Sequence, residues 1–441
     1  MAKLHSLALA ATTLNLYQPM TRATQFLRSH QRWWIVALLF VVAAVNNLDR
    51  QALSVLAGTL KKELGFGNVE YSYVTSSFLA AYALGYLFCG RQIDRWGVKL
   101  ALAAALAFWS LAGMLHAAAI GWVSLAVCRF LLGLGESFNS PAGVKAVAEW
   151  IPPRERGLCM AVFSNGNIFG AILAPPLVSV LAIHFGWQWG FIVTGLAGFG
   201  LLALWWRFYE HPERHPTITA EERTYIREQL AVATPGVPRQ AMWSLLRNPL
   251  CLGFFVARFL TDSTSYFFSF WLPDYLQHSR GFSLAMIGLI AWIPFLASDV
   301  GGPGGGALSD FLVRRGWNSK RARLTLMGFA AALMPLAAVA VRVETTWMAI
   351  AIIAVLLAAQ SCWMANQLTL ISESVARENV GTLLALTALG GSLGGIVSNL
   401  VTGRVLDTYG YVPVFTGLGA LHVTAFLLLW SAMQSAAKRA N

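Results

Sequence analysis

The feature that most constrains this chain is the recurrence of apolar stretches about 20 residues long between residues 33 and 433. A helix needs about 20 apolar residues to cross the ~30 Å hydrocarbon core of a bilayer. The composition agrees, because 57% of the residues are hydrophobic, only 12% are charged and the mean hydropathy is +0.58. These values lie outside the range of ordinary soluble domains. The sequence therefore predicts an all-α membrane protein.

Twelve apolar stretches are predicted as transmembrane helices, six in each half of the chain. They cover residues 33–58, 72–90, 100–119, 121–144, 158–183, 187–209, 250–276, 284–306, 324–341, 347–371, 380–403 and 411–433. The predicted organisation is a cytoplasmic tail (1–32), a six-helix bundle (33–209), a linker (210–248), a second bundle (249–433) and a C-terminal tail (434–441). Within the linker, Thr219 and Glu222 have capping-box spacing and predict a short surface helix over residues 220–230.

The net charge of +12 comes from basic residues that fall mostly on one side of the predicted helices. With both termini in the cytoplasm, the loops on the other side hold only Lys61, Lys62, Arg280, Arg342 and Arg404. This bias is the positive-inside rule, so the charge reflects orientation rather than nucleic-acid binding. We predict a multi-pass protein of the bacterial inner membrane with both termini in the cytoplasm and no nucleic-acid partner.

The five cysteines lie in or beside apolar stretches, without a CxxC pair or a spacing suited to a metal ion. They are interpreted as packing residues. The sequence predicts neither a metal site nor a cofactor.

A short pattern recurs at matching positions of the two halves. Gly90-Arg91-Gln92-Ile93-Asp94-Arg95-Trp96-Gly97 follows the second stretch, and Gly306-Ala307-Leu308-Ser309-Asp310 follows the eighth. Glycine permits close approach of helices, and a carboxylate pairs with or caps the end of a neighbouring helix. We predict a conformational latch formed by Gly90, Asp94, Arg95, Gly97 and Asp310.

Four ionisable residues lie within the first and fourth predicted helices: Asp49, Arg50, Arg129 and Glu136. A charge in mid-membrane costs at least ~2.5–3.5 kcal/mol on insertion scales, so each one requires an explanation. Arg129 and Glu136 are seven residues apart and share one helical face. We predict that all four groups can face one cavity.

The residue types suggest two roles. Arginine stays protonated and can bind a carboxylate through two donors, so Arg50 and Arg129 suit an organic anion. A desolvated carboxylate can be neutralised, so Asp49 and Glu136 suit proton carriage. A substrate that binds an arginine would release its carboxylate partner to take a proton. The alternative is that these residues form ion pairs that only hold the first and fourth helices together.

Other polar residues within the predicted helices have two open interpretations, substrate contact or helix-to-helix bonding. The uncharged ones include Tyr82, Ser164, Asn167, Gln360, Asn366, Ser392 and Asn399. Two interpretations are also open for the charged residues of the second half, structural pairing or a functional role: Arg258, Asp262 and Asp299.

Several motifs together resemble the major facilitator superfamily and, within it, the anion:cation symporter family. Gly90 to Gly97 is similar to the superfamily's loop signature, and Arg129 to Glu136 to its fourth-helix motif. Family-level motifs are Asn47-Leu48-Asp49-Arg50, Pro141-Ala142-Gly143, Gly186-Trp187-Gln188-Trp189 and Trp271-Leu272-Pro273. The resemblance is strongest to hexuronate and aldonate symporters and implies two pseudo-symmetric six-helix bundles.

The resemblance also implies proton-driven uptake of a small carboxylate by alternating access. It places Arg50, Tyr82 and Arg129 at the substrate, with Asp49 and Glu136 in proton coupling. We add Asn47, Ser164, Asn167, Gln360 and Ser392 as candidate substrate contacts. The expected partners are a small organic anion, the proton and membrane lipid, with the proton gradient as the energy source and the monomer as the working unit.

The sequence thus predicts a proton symporter that imports a hexuronate or an aldonate such as glucuronate, galacturonate or galactonate. Alternatives within transport are a carrier of another small carboxylate and a proton-driven exporter of drugs or metabolites. An enzyme is disfavoured because no His-rich or Asp-rich catalytic set lies near a membrane surface. A sensor would need a soluble output domain larger than the linker or the tails, and the two-half repeat with midplane charges disfavours a channel.

Overall fold

The structure is a computed structural model, and it describes residues 30–153, 155–231, 242–375 and 377–440. The predicted N-terminal tail up to residue 29 and linker residues 232–241 lie outside the described residues. The N-terminal half contains α1 (Gln31–Val55), α2 (Ala57–Leu64), α3 (Asn68–Leu115), α4 (Trp122–Glu136), α5 (Asn139–Trp150), α6 (Arg156–Phe185) and α7 (Trp187–Phe208). Two short helices follow in the linker region, α8 (Ala220–Ala231) and α9 (Met242–Leu245).

The C-terminal half repeats this pattern of long helices. It contains α10 (Pro249–Arg280), α11 (Leu284–Ile290), α12 (Ile293–Arg314), α13 (Ser319–Leu333), α14 (Ala337–Ala340), α15 (Thr346–Ser374), α16 (Arg377–Tyr409) and α17 (Tyr411–Ala440). Each half forms a bundle of mostly apolar helices. We name the first the N-bundle (α1–α7) and the second the C-bundle (α10–α17).

Among the described residues, nine helical segments are long and apolar enough to cross a membrane. One of them, Asn68–Ala118, is 51 residues long and contains two predicted spans. The fourth predicted span is divided into α4 and α5, and the seventh corresponds to the more polar α10. The helices accommodate twelve crossings, and that number remains a prediction.

The long helix α3 changes direction at Gly97, where φ is +76° and ψ is 161°. L-residues with a side chain rarely adopt a positive φ, so glycine suits this position. The break lies at the boundary between the second and third predicted spans. It allows the chain to reverse without a separate loop.

The predicted linker helix is present as α8, and Thr219 Oγ1 accepts a hydrogen bond from the Glu222 backbone N–H at 3.1 Å. The buried carboxylate of Glu222 accepts from the backbone N–H groups of Gln31 and Arg32 at 3.0 and 3.3 Å. An anion at a helix N-terminus is stabilised by the free N–H groups and the helix dipole. The linker helix is therefore fixed to the start of α1.

The helices define two faces. The basic face carries the start of α1, the Gly97 turn, α8 and the turn between Arg314 and Ser319. The far face carries α2, the turns at Gly281 and Gly410, and the start of α3.

The two bundles pack on each other in the half nearer the far face. Helix α3 packs on α16, α6 on α11 and α12, and α1 and α2 on α10. The Tyr71 hydroxyl donates to the Phe270 carbonyl at 2.9 Å, and the Asn68 amide donates to Asp407 at 2.8 Å. Lys61 Nζ lies 2.8 Å from Asp274 Oδ1. The far face is therefore closed in this structure.

Candidate functional site

A cavity of about 140 Å³ lies between the bundles, and Arg50 is on its wall. The N-bundle contributes Asn47, Arg50, Gln51 and Asn167 to the lining. Asp49 is adjacent to Arg50 in the chain but points elsewhere, because consecutive residues of an α-helix are about 100° apart. Its carboxylate is 2% exposed and lies inside the N-bundle, with Gly113 of α3 on one side.

Arg50 is bound to Glu136 of α4. Its Nε and one terminal nitrogen donate to Glu136 Oε2 at 3.1 and 2.8 Å. The guanidinium also lies 4.9 and 5.1 Å from the ring centres of Phe78 and Tyr82, in cation–π contact. Glu136 is fully buried behind Arg50, and its second oxygen has no partner among the described residues. One carboxylate thus holds the arginine that faces the cavity.

Arg129 lies deeper than Arg50. Its side chain is 1% exposed, and one terminal nitrogen donates to the Arg50 carbonyl at 3.1 Å. Its other two nitrogens, like both oxygens of Asp49, have no hydrogen-bond partner among the described residues. Asp49, Arg129 and Glu136 nevertheless interact electrostatically. The four predicted groups form one cluster, and Arg50 is the member that lines the cavity.

The uncharged candidates divide between the cavity and the bundle interiors. Asn47 and Asn167 line the cavity, and the Asn47 amide donates to the Asn167 carbonyl. Tyr82 lies beside Arg50 without lining the cavity, and Ser164 is an exposed residue whose carbonyl accepts from Asn167 at 3.3 Å.

Gln360 and Ser392 lie inside the C-bundle. The Gln360 amide donates to the Thr261 carbonyl and the Ser265 hydroxyl at 3.2 and 2.7 Å, and its oxygen is bonded to His422. The Ser392 hydroxyl donates to the Ala388 carbonyl at 3.2 Å. In this conformation both side chains bond within the C-bundle, so their proposed contact with substrate stays a prediction.

The charged residues of the second half form a separate pair. Arg258 Nε lies 2.6 Å from Asp262 Oδ2, one helical turn away on α10. A Cβ atom at Gly391 of α16 would lie 2.0 Å from the same oxygen. Asp299 is half-buried on α12, and its Oδ1 has no partner among the described residues.

The repeated glycine–aspartate pattern places both aspartates on the basic face. Asp94 pairs with Lys145 at 2.6 Å, and Asp310 pairs with Arg323 at 2.7 Å. The expected close packing at Gly90 and Gly306 is wrong for this conformation, because a Cβ at either position would have no described heavy atom within 4 Å. The physical reason is that the two bundles touch in the half nearer the far face, whereas both glycines lie at the basic face. The latch role of Gly90, Asp94, Arg95, Gly97 and Asp310 stays a prediction.

Sequence reasoning missed the C-bundle wall of the cavity. That wall includes Tyr266 and Ser269 of α10 and Phe295 and Ser298 of α12. Asp262, Tyr266 and Ser269 have the spacing i, i+4, i+7, so a polar helical face was visible in the sequence. The described residues contain no group of three or more His, Cys, Asp or Glu able to hold a metal ion.

Comparison with known proteins gives the family. Residues 39–399 match the sequence profile of the Major Facilitator Superfamily. The chain belongs to this superfamily. Its sequence is 32% identical over 412 residues to the probable galactarate/D-glucarate transporter GarP of Escherichia coli strain K12, covering 89% of this chain and 93% of that protein. It is 31% identical over 409 residues to the hexuronate transporter of the same strain, covering 92% and 94%.

The fold comparison agrees with the assignment to this superfamily. The inward-open xylose transporter XylE of Escherichia coli superimposes with a TM-score of 0.70 at 15% identity, covering 90% of this chain and 96% of that one. The predicted all-α membrane fold of the major facilitator type is confirmed. A member of this superfamily is a membrane transporter rather than an enzyme.

Proposed function

We propose that this chain is a proton-coupled symporter that imports a small sugar acid, a hexuronate or an aldonate such as glucuronate, galacturonate or galactonate. The observation that carries the proposal is the position of Arg50, whose guanidinium lines the central cavity while it is bound to the buried Glu136. The names of the two Escherichia coli relatives, one for galactarate and D-glucarate and one for hexuronates, agree with an anionic sugar substrate.

The chemistry of binding follows from the geometry of this pair. Arg50 gives two of its five N–H donors to one oxygen of Glu136. A substrate carboxylate that enters the cavity can take the same donors and displace Glu136. Glu136 then becomes a buried carboxylate without a cation at hydrogen-bond distance, which is costly unless it takes a proton.

Charge balance explains why proton and substrate move together. In the empty site the Arg50–Glu136 pair is neutral as a unit. With substrate bound and Glu136 protonated, the Arg50–substrate pair is again neutral. A site that holds only the substrate or only the proton has a net charge. Moving a net charge through a low-dielectric region is unfavourable, so reorientation of the site across the membrane is slow in that state. Asp49, buried nearby without a hydrogen-bond partner among the described residues, is proposed to carry the same proton on its way to or from Glu136.

We also propose an orientation in the membrane and an oligomeric state. The basic face lies in the cytoplasm according to the positive-inside rule, so both termini are cytoplasmic and the far face is periplasmic. The closed far face of this structure then corresponds to a state of the cycle that faces inward. We also propose that the monomer is the working unit in the bacterial inner membrane, because both walls of the cavity come from the two bundles of the same chain.

The test is transport in proteoliposomes with labelled glucuronate, galacturonate and galactonate, with and without an inward proton gradient. For Glu136→Gln and Asp49→Asn we expect substrate counterflow to persist while accumulation against a gradient is lost, because exchange requires no net proton movement. Glu70→Gln is the matched control, since Glu70 accepts a hydrogen bond from the Gly67 backbone N–H at the far face. Accumulation by both site variants at the wild-type level would contradict the proposed coupling.

A further inference from the structure

The cavity has two chemically different walls. On the N-bundle side stand a guanidinium and three carboxamides: Arg50, Asn47, Gln51 and Asn167. On the C-bundle side the polar groups are hydroxyls, from Tyr266, Ser269 and Ser298. A ligand that fills this space therefore meets a cation at one side and neutral hydrogen-bonding groups at the other.

The hydroxyls of the C-bundle are available to a ligand. The Tyr266 and Ser269 hydroxyls form no hydrogen bond with another residue in the described part of the chain, and both residues are half-buried at the cavity. Ser298 Oγ lies 2.5 Å from Ser361 Oγ. Two hydroxyls that share one hydrogen bond still have one O–H hydrogen to donate. This wall can both donate to and accept from the hydroxyls of a sugar.

The same wall offers no positive charge. Within the described residues, none of the cavity-lining side chains from the C-bundle is a cation. Arg258 lies eight residues before Tyr266, about 12 Å along α10 towards the basic face, and it is paired with Asp262 at 2.6 Å. A second anionic group on a ligand would be desolvated here without a cation to balance its charge.

From these two walls we infer that the site selects sugar acids with a single carboxylate over aldarates, which carry one at each end, and that Ser269 and Ser298 are specificity-determining contacts for sugar hydroxyls. The inference rests on the proposed function and deepens it by choosing between ligand classes. The relatives do not decide between them, because the diacid and hexuronate carriers match this chain at 32% and 31% identity.

The first test is competition in counterflow. Unlabelled glucuronate, galacturonate, galactonate, galactarate and glucarate are compared as inhibitors of labelled glucuronate exchange by the full-length protein. Because an unpaired buried charge costs more than an unpaired neutral group, we expect aldarates to bind at least about tenfold more weakly than hexuronates. Equal inhibition by both classes would overturn the inference while leaving sugar-acid transport intact. If no sugar acid is exchanged, the proposed function and the inference both fail.

The second test substitutes residues of the C-bundle wall of the cavity. Ser269→Ala and Ser298→Ala should each raise the KM for glucuronate several-fold while the Arg50-dependent binding of acetate, which has no hydroxyls, is unchanged. A gain of function is expected from Ser269→Lys, which places a cation where an aldarate's second carboxylate would lie. Ser269→Met is the matched control for side-chain length. An improvement of aldarate inhibition in both Lys and Met variants, or in neither, would contradict the assigned role of charge on this wall.

Discussion

At the scale of single residues, the position of Arg50 differs from that of Arg129 although both arginines belong to the N-bundle. Arg50 is 19% exposed and reaches the cavity, with two donors on one carboxylate oxygen. Arg129 is 1% exposed and donates to a backbone carbonyl of α1. The first arrangement suits exchange of one carboxylate for another, whereas the second fixes the helix that carries Arg50.

This difference gives a prediction for conservative variants. Arg50→Lys keeps the charge but loses the planar pair of donors, so we expect sugar-acid affinity to fall roughly ten- to a hundredfold, the value of one charge-assisted hydrogen bond. Arg129→Lys can still donate one bond to the Arg50 carbonyl, so we expect a smaller loss. The measurement is the Kd of labelled substrate for purified protein. Equal losses in the two variants would show that Arg129 also contacts the substrate.

The sequence predicted the members of this cluster but not their directions. Residue type and the cost of membrane burial identified Asp49, Arg50, Arg129 and Glu136. Which of them reaches the cavity depends on how α1 is rotated against α4, and that is decided by packing between helices. The same reason explains Gln360, whose partners Ser265 and His422 are 95 and 62 residues away in the chain. The sequence alone does not identify the partner of such a polar residue, because the partner lies on another helix.

At the scale of helices, glycines decide how closely α16 approaches α10. A Cβ atom at Gly394 would lie 1.9 Å from the Phe259 carbonyl oxygen, which belongs to the backbone of α10. No side chain can move aside to relieve that contact. The run Gly390-Gly391-Ser392-Leu393-Gly394-Gly395 in α16 is typical of a helix that bends or packs closely, and at Gly394 the structure has close packing.

A pair of substitutions on α16 isolates this packing. Gly394→Ala should destabilise the protein by about 1–3 kcal/mol, the usual cost of overpacking, and separate α16 from α10. Gly381→Ala on the same helix has no described heavy atom within 4 Å of the new Cβ. It should be neutral or stabilising by up to about 1 kcal/mol, because alanine favours helix more than glycine does. Thermal unfolding in detergent measures both, and equal stability of the two variants would contradict the close contact.

At the scale of the whole molecule, closure of the far face depends on contacts between residues remote in sequence. Asp274 of α10 is 2% exposed and is bound by Lys61 of the N-bundle at 2.8 Å and by the Tyr411 hydroxyl at 2.5 Å. Lys61 also lies 4.9 Å from the Tyr71 ring centre and 5.2 Å from that of Trp271. Because 213 residues separate Lys61 from Asp274, no local pattern in the sequence indicates this pair.

Removal of the lysine should open the far face. Lys61→Gln removes the cation that binds the buried Asp274 carboxylate from across the bundle boundary, and breaking a buried ion pair usually costs about 3–5 kcal/mol. Ser72, which is 1% exposed and packs under Gly403, can report opening as Ser72→Cys in a chain whose native cysteines are replaced. We expect several-fold faster labelling by a membrane-impermeant maleimide. Lys62→Gln is the control on the adjacent, exposed residue, and faster labelling in both variants would argue against the ion pair.

The same contact should respond to pH through His278, which follows the predicted seventh span. Its hydrogen bond to Asp274 raises the pKa of His278 above its ordinary value of 6.5. The charged groups that face it are Asp274 and Lys61. A raised pKa means that the closed state holds the proton more tightly, so the contribution is complete below the ordinary pKa and is lost as the pH rises through the raised one.

Closure of the far face should therefore weaken as the pH rises above the ordinary histidine pKa of 6.5 and through the raised pKa of His278. Labelling of the Ser72→Cys reporter, divided by labelling of an exposed Lys62→Cys site at the same pH, should increase over this range. The exposed site removes the pH dependence of the maleimide reaction itself. In His278→Gln the ratio should stay constant, because the amide does not titrate. Because His278 is 52% exposed, the change should be smaller than that caused by Lys61→Gln. An identical pH profile in the histidine variant would assign the response to another group.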